Sequence, residues 1–245
     1  MKLFRYRHTI ILLLFILVKN MGFGQGEDRL SKYYIGFTPG INFSRTSLND
    51  TANINFSSRI KTGFNLGFAA AYNLKDNISV TSGLGFVSHG YRVFCDTLPV
   101  NNKVVRNTVN LTLPLGMSFR QGGTSRSQIH EKFGVVLNYN FASKTDTLLN
   151  APANSRFRVT ENSQQRFYPT FYLGAGLGGG SGKGDRYEFG FTYQFSVMNI
   201  RGMKVEGGEF YKSYFPLNYR GGMLQATFTY YFNTGNLKKS DEYFY

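Results

Sequence analysis

From Tyr33 to Ser44 the chain alternates with a period of two. Tyr33, Ile35, Phe37, Pro39, Ile41 and Phe43 fill one set of positions, and Tyr34, Gly36, Thr38, Gly40, Asn42 and Ser44 fill the other. A strand turns successive side chains to opposite faces, so this segment has one bulky apolar face and one small or polar face. The same split recurs in segments 63–73, 78–86, 109–119, 133–141, 170–177, 187–196 and 224–232, with Ser82 and Val136 as mild exceptions. Eight strands are expected.

The polar face decides the environment. A soluble sandwich or lipocalin-like barrel turns its apolar face inward and covers the outside with Lys, Glu, Arg and Asp. Here the polar face is Gly, Asn, Thr, Ser and Gln with almost no charge, and the apolar face has no charge at all. That composition suits a hydrogen-bonded lumen and a lipid-facing exterior. The expected fold class is all-β, an eight-stranded antiparallel up-and-down transmembrane β-barrel. Its lipid-facing positions include Phe64, Leu66 and Phe68, then Leu111, Leu113 and Leu115, then Phe189, Phe191, Phe228 and Tyr230. Closure is required, because an open edge in lipid leaves backbone groups unsatisfied. A soluble β-barrel with the opposite facing is the structural alternative.

The connections agree with this reading. Links after the second, fourth and sixth segments are the shorter set, 74–77, 120–132 and 178–186, and carry turn residues such as Lys75-Asp76-Asn77. Links after the first, third, fifth and seventh, 45–62, 87–108, 142–169 and 197–223, are all longer. Short periplasmic turns and long outer loops produce this alternation, so both termini are expected in the periplasm and the protein in the outer membrane.

The N-terminus reads as an export signal. Lys2, Arg5 and Arg7 precede an apolar run from Ile10 to Val18, and Gly22-Phe23-Gly24 supplies a small-residue cleavage site. The expected organisation is a signal peptide over 1–24, a barrel over 25–232 and a periplasmic tail over 233–245. Cleavage removes four basic residues and no acid, taking the net charge from +14 to +10. That charge is scattered through Gly- and Asn-rich segments rather than gathered on one stripe, which argues against nucleic acid as a partner. The single cysteine, Cys95, excludes an internal disulfide and a Cys-based zinc site.

The strands Ile35-Gly36-Phe37-Thr38-Pro39-Gly40-Ile41-Asn42-Phe43 and Leu111-Thr112-Leu113-Pro114-Leu115-Gly116-Met117, behind a signal peptide, resemble the PorT-like family of outer-membrane β-barrels. The resemblance spans roughly residues 32–232 and implies a role in protein secretion across the outer membrane, which some members have. Pro114 fits the resemblance but lacks a ladder donor, so a local bulge is expected there.

Catalytic chemistry finds little support. After cleavage only His89 and His130 remain; Ser88 beside His89 points to the opposite face, and His130 falls in a short link. Gly174-Ala175-Gly176-Leu177-Gly178-Gly179 has dinucleotide-motif spacing without the strand and helix that the motif needs. Glu188 faces the expected lumen and requires a basic or hydrogen-bonding neighbour, because a lone buried carboxylate is costly. No enzyme activity, cofactor or metal is expected. Each long loop carries a net charge of +2, with Arg156, Arg158, Lys204 and Lys212 as candidate loop contacts. Outer-membrane lipid and envelope proteins are the expected partners. Three readings follow: a non-enzymatic structural or assembly component, within a secretion complex on the family's pattern; a narrow porin-like channel; and a surface binder of anionic glycolipid.

Overall fold

The computed structural model describes residues 32–45, 56–75, 77–95, 103–124, 127–141, 145–149, 157–163, 165–180, 184–197, 201–206, 215–219 and 222–234. The signal-peptide and tail segments lie outside the described residues, apart from 233 and 234. In chain order the strands are β1 (Tyr33–Arg45), β2 (Phe56–Arg59), β3 (Lys61–Lys75), β4 (Ile78–Cys95), β5 (Lys103–Thr124), β6 (Ser127–Asn140), β7 (Thr145–Leu149), β8 (Phe157–Ser163), β9 (Phe167–Gly180), β10 (Arg186–Phe195), β11 (Arg201–Glu206), β12 (Phe215–Tyr219) and β13 (Gly222–Asn233).

Eight of them, β1, β3, β4, β5, β6, β9, β10 and β13, pair antiparallel with their neighbours, and the β1–β13 ladder closes the ring. The register gives the shear. Successive partners run from Tyr34 through Ala71, Thr81, Gly116, Gly134, Tyr172, Gln194 and Met223, and return to β1 at Ser44, ten residues from the start. With ~3.3 Å rise and ~4.8 Å strand spacing, that shear tilts the strands by about 40° and sets a backbone radius of about 8 Å. An interior of that size is filled largely by side chains.

Burial is reversed relative to a soluble protein. Phe68 is 68% exposed and Asn42 0% exposed. Phe64, Leu66, Leu113, Leu115, Phe189, Phe191 and Phe228 are also exposed, while Leu111 and Tyr230 are half-buried. The outer rings pair across strands, as Phe37 and Phe68 do edge-to-face at 6.1 Å.

The expected bulge at Pro114 is absent. Ser82 pairs with Leu115 and Gly85 with Thr112, so the register passes Pro114 unshifted with only its local pairs missing. Pro39 does the same toward β13, where Phe37–Tyr230 and Gly40–Thr227 bracket the gap. Each proline faces one ladder with its missing N–H and still pairs on its other side, Pro39 with Leu66 and Pro114 with Val136. Thr38 and Thr229 join their hydroxyls at 3.0 Å across the gap beside Pro39.

Three links differ from the sequence expectation. The 142–169 and 197–223 links contain β7, β8, β11 and β12, which form a separate four-stranded antiparallel sheet in the order β12-β11-β8-β7. Their strands are too short to stand out as alternating segments. The 120–132 link is mostly strand, since β5 runs to Thr124 and β6 starts at Ser127.

Inward glycines make room for Tyr172. A Cβ on Gly134 would lie 2.6 Å from Gly116 Cα and 2.8 Å from Tyr172 Cε1. Gly134→Leu is expected to destabilise the barrel by about 1–3 kcal/mol through overpacking, read as a lower urea midpoint for the cold-detergent gel shift.

Candidate functional site

The site is the lumen, which the register divides into layers. The end bearing the short links is the turn end, and the opposite end is the loop end. Every barrel strand contributes every second side chain to the interior, so a polar strand face becomes a ring of polar groups.

At the turn end a charged layer lies among Tyr34, Tyr231, Arg120, His130, Arg186 and Glu188, all buried. Arg186 and Glu188 come from β10, His130 and Lys132 from β6, and Arg120 from β5. Glu188 is the hub: Lys132 and Arg186 both form ion pairs with it, and His130 Nδ1 lies 3.3 Å from its Oε1. Arg120 donates from Nη2 to Asn73 Oδ1 at 2.7 Å. The Arg186 guanidinium lies against the rings of Tyr231 and Tyr34, 5.2 and 5.9 Å from their centroids, where the aromatic faces favour a cation. At the rim Asp185 accepts from Tyr230 Oη at 3.0 Å and from the Asn233 N–H at 2.9 Å.

His130 corrects the sequence reading. It belongs to β6 and points inward, 1% exposed, rather than standing in a link. Gly178 on the neighbouring β9 admits the ring: a Cβ there would meet His130 Nε2 at 2.5 Å.

The loop-end layer is amide-rich, with Lys61 of β3 as a buried cation at its edge. Asn110 donates from Nδ2 to Tyr168 Oη at 2.5 Å and meets His89 Nε2 at 2.8 Å. Asn138 donates to Thr170 Oγ1 at 3.0 Å, Asn42 to the carbonyls of Ser88 and Phe64 at 2.9 and 3.1 Å, and Ser44 to Gly90 O at 2.6 Å. These bonds stitch β1, β4, β5, β6 and β9 together and keep His89 as one member of an amide network. Ser88 and His89 are adjacent on β4, so their side chains leave opposite faces.

Between the layers lies a chamber of about 150 Å³. Thr38, Thr81, Thr112, Thr192, Gln194 and Tyr172 are among its lining, together with Lys132. Gly67 and Gly85 are part of its lining, and the absence of side chains at these mid-strand positions leaves the space open. Among the described residues, no group of three or more His, Cys, Asp or Glu side chains is placed to hold a metal ion.

The loop candidates are only partly placed. Arg158 stands opposite Glu206 in the β8–β11 register and Lys204 opposite Thr160, which brings these two positions onto adjacent strands. Arg156 and Lys212 lie outside the described residues.

An inverted burial pattern on a closed eight-stranded ring is the construction of a membrane barrel, and the family comparison agrees. The model of the outer membrane protein β-barrel domain matches residues 23–202. The chain belongs to that family. No curated protein matches it in sequence. Among solved structures it is similar to the outer membrane protein OprG from Pseudomonas aeruginosa, with 12% identity, a TM-score of 0.48, and coverage of 87% of this chain and 99% of that one. It is also similar to Ail, the attachment invasion locus protein of Yersinia pestis, with 12% identity, a TM-score of 0.40, and coverage of 82% of this chain and 99% of that one. AlkL is similar at 15% identity and a TM-score of 0.41, over 87% of this chain and 93% of that one. Membership places the protein in the outer membrane.

The sequence reading missed the partners of Glu188. It required one from the cost of burial, but Lys132 and His130 lie 56 and 58 positions away and reach Glu188 only through the strand order β10-β9-β6.

Proposed function

We propose that the protein is a non-enzymatic outer-membrane barrel that serves as a structural or assembly component and does not conduct. Packed side-chain layers at both ends of the chamber carry this reading. The turn end is occupied by ion-paired Arg186, Glu188 and Lys132 with Tyr34 and Tyr231, and the loop end by Asn42, Asn110, Asn138 and Tyr168. An open channel needs a continuous polar path, whereas barrels of eight strands have interiors that side chains fill.

In this reading the termini and short turns face the periplasm, and the β12-β11-β8-β7 sheet stands outside the cell as the contact surface for envelope partners. Short periplasmic turns and longer outer loops are the usual arrangement of such barrels, which supports the orientation. A secretion-complex role and membership of the PorT-like group rest on the resemblance of the first and fourth barrel strands. Outer-membrane lipid surrounds the exposed apolar belt, and the net +2 charge of each long loop favours contact with anionic headgroups.

Planar-bilayer recording tests the central claim. The folded full chain is expected to give no discrete single-channel openings above baseline. Reproducible ohmic steps would overturn the proposal in favour of the channel reading.

A further inference from the structure

We infer that the chamber is a binding site for one small neutral polyol of about the size of glycerol. The inference goes beyond the assembly role and stands whether or not that role holds.

Space is the first observation. The chamber measures about 150 Å³, and a cavity of that size accommodates one guest of about six non-hydrogen atoms. Thr38, Ala69, Thr81, Lys132, Thr192 and Thr227 are half-buried around it. Tyr34, Tyr231 and Arg186 on the turn side and Asn42, Asn110 and Asn138 on the loop side are buried, so the hollow lies between packed layers.

The division of the lining is the second. β1, β13 and β10 are consecutive in the ring, and they turn Thr38, Thr227, Thr229, Thr192, Gln194 and Gln225 toward the space. Across the ring, β4, β5 and β6 place Gly85, Pro114 and Val136 against it. The Thr112 hydroxyl on that side is turned to Gly85 O at 3.1 Å. The Tyr172 ring, which lies over Gly116 and Gly134, completes this wall. Thr81 and Lys132 form the edge toward the charged layer. Hydroxyls and amides that face a wall of glycine, proline, valine and aromatic carbon suit a guest with a hydrogen-bonding edge and a C–H face. A short polyol has both.

Charge is the third. Among the described residues that line the chamber there is no carboxylate, and the one cation, Lys132, forms an ion pair with Glu188. A charged guest would be buried without a counter-charge of its own, which is costly, whereas a hydroxyl exchanges donor and acceptor roles with threonine freely. Thr227 donates to Gly190 O at 3.4 Å, and the Thr38 and Thr229 hydroxyls bond each other at 3.0 Å. Their remaining lone pairs accept from the O–H groups of the guest.

The test is equilibrium dialysis of the full-length barrel in detergent against radiolabelled glycerol. The chain is refolded from denaturant with glycerol present, so the packed ends do not bar entry, and boiled barrel in the same detergent gives the blank. Saturable retention of one glycerol per barrel is expected, with half-saturation at about 1–10 mM, the affinity that a guest of this size reaches. Excess 1-butanol, of nearly the same size with a single hydroxyl, should not displace it. Ala69→Leu fills the space and should abolish retention. Thr192→Val removes one hydroxyl at nearly constant shape and should raise the half-saturating concentration by about three- to tenfold. If Ala69→Leu does not fold, Thr192→Val carries the test alone.

Retention no greater than the boiled blank overturns the inference and leaves water in the chamber. Displacement by 1-butanol as effective as that by unlabelled glycerol also overturns it, because the hydroxyl wall then selects nothing. So does retention that Thr192→Val leaves unchanged, which would place the glycerol outside the chamber.

Discussion

Phe68→Arg is expected to lower the stability of the folded barrel by about 2–4 kcal/mol, the cost of an arginine on the lipid face near the bilayer midplane. The position is 68% exposed, on β3 opposite Phe37. On a water-soluble protein such a site tolerates almost any substitution, usually within about 0.5 kcal/mol. In lipid the guanidinium has no water to solvate it, so the sign and size of the effect report the medium directly. Urea titration of folding into phospholipid vesicles measures it. Phe68→Leu is expected to change little, because hydrocarbon replaces hydrocarbon. A Phe68→Arg barrel as stable as the original would mean that this face does not contact lipid.

Glu188→Ala is expected to cost about 3–5 kcal/mol, the penalty for breaking a buried ion pair and leaving its partners uncompensated. Glu188 is buried against Lys132, Arg186 and His130, and removing it leaves Lys132 and Arg186 without the carboxylate that pairs them. The urea midpoint of the cold-detergent gel shift reads the loss. The double substitution Glu188→Ala with Lys132→Met removes one charge of each sign, so it should lose less than the sum of the single changes, as coupled neighbours do. Additive losses would show that the two side chains do not interact in the folded barrel.

The same residues show where the sequence is informative. Phe64, Leu66 and Phe68 were legible as one face because alternation is local: two residues along a strand always share a side. Uncharged Asn, Thr and Gly on the opposite face then decided which side meets lipid. The ends of the strands were less legible, because β4 and β5 continue to Cys95 and from Lys103, past the lengths that the apolar alternation marks. His130 was misplaced for that reason: it follows Ile129 in a stretch whose apolar face is interrupted by Glu131, so the strand is not visible from pattern alone. The small sheet of β7, β8, β11 and β12 was illegible because it joins two loops about 40 residues apart, and neither loop contains a long alternating run.

By itself the sequence determined the strand segments, the inverted facing and the need for closure, because each follows from side-chain period and from the cost of unsatisfied backbone in lipid. Only the tertiary structure decided the shear of ten, the pairing of Glu188 with Lys132 and His130, and the chamber that mid-strand glycines open. Those depend on register between strands far apart in the chain, and register is a property of pairs, which no single segment encodes.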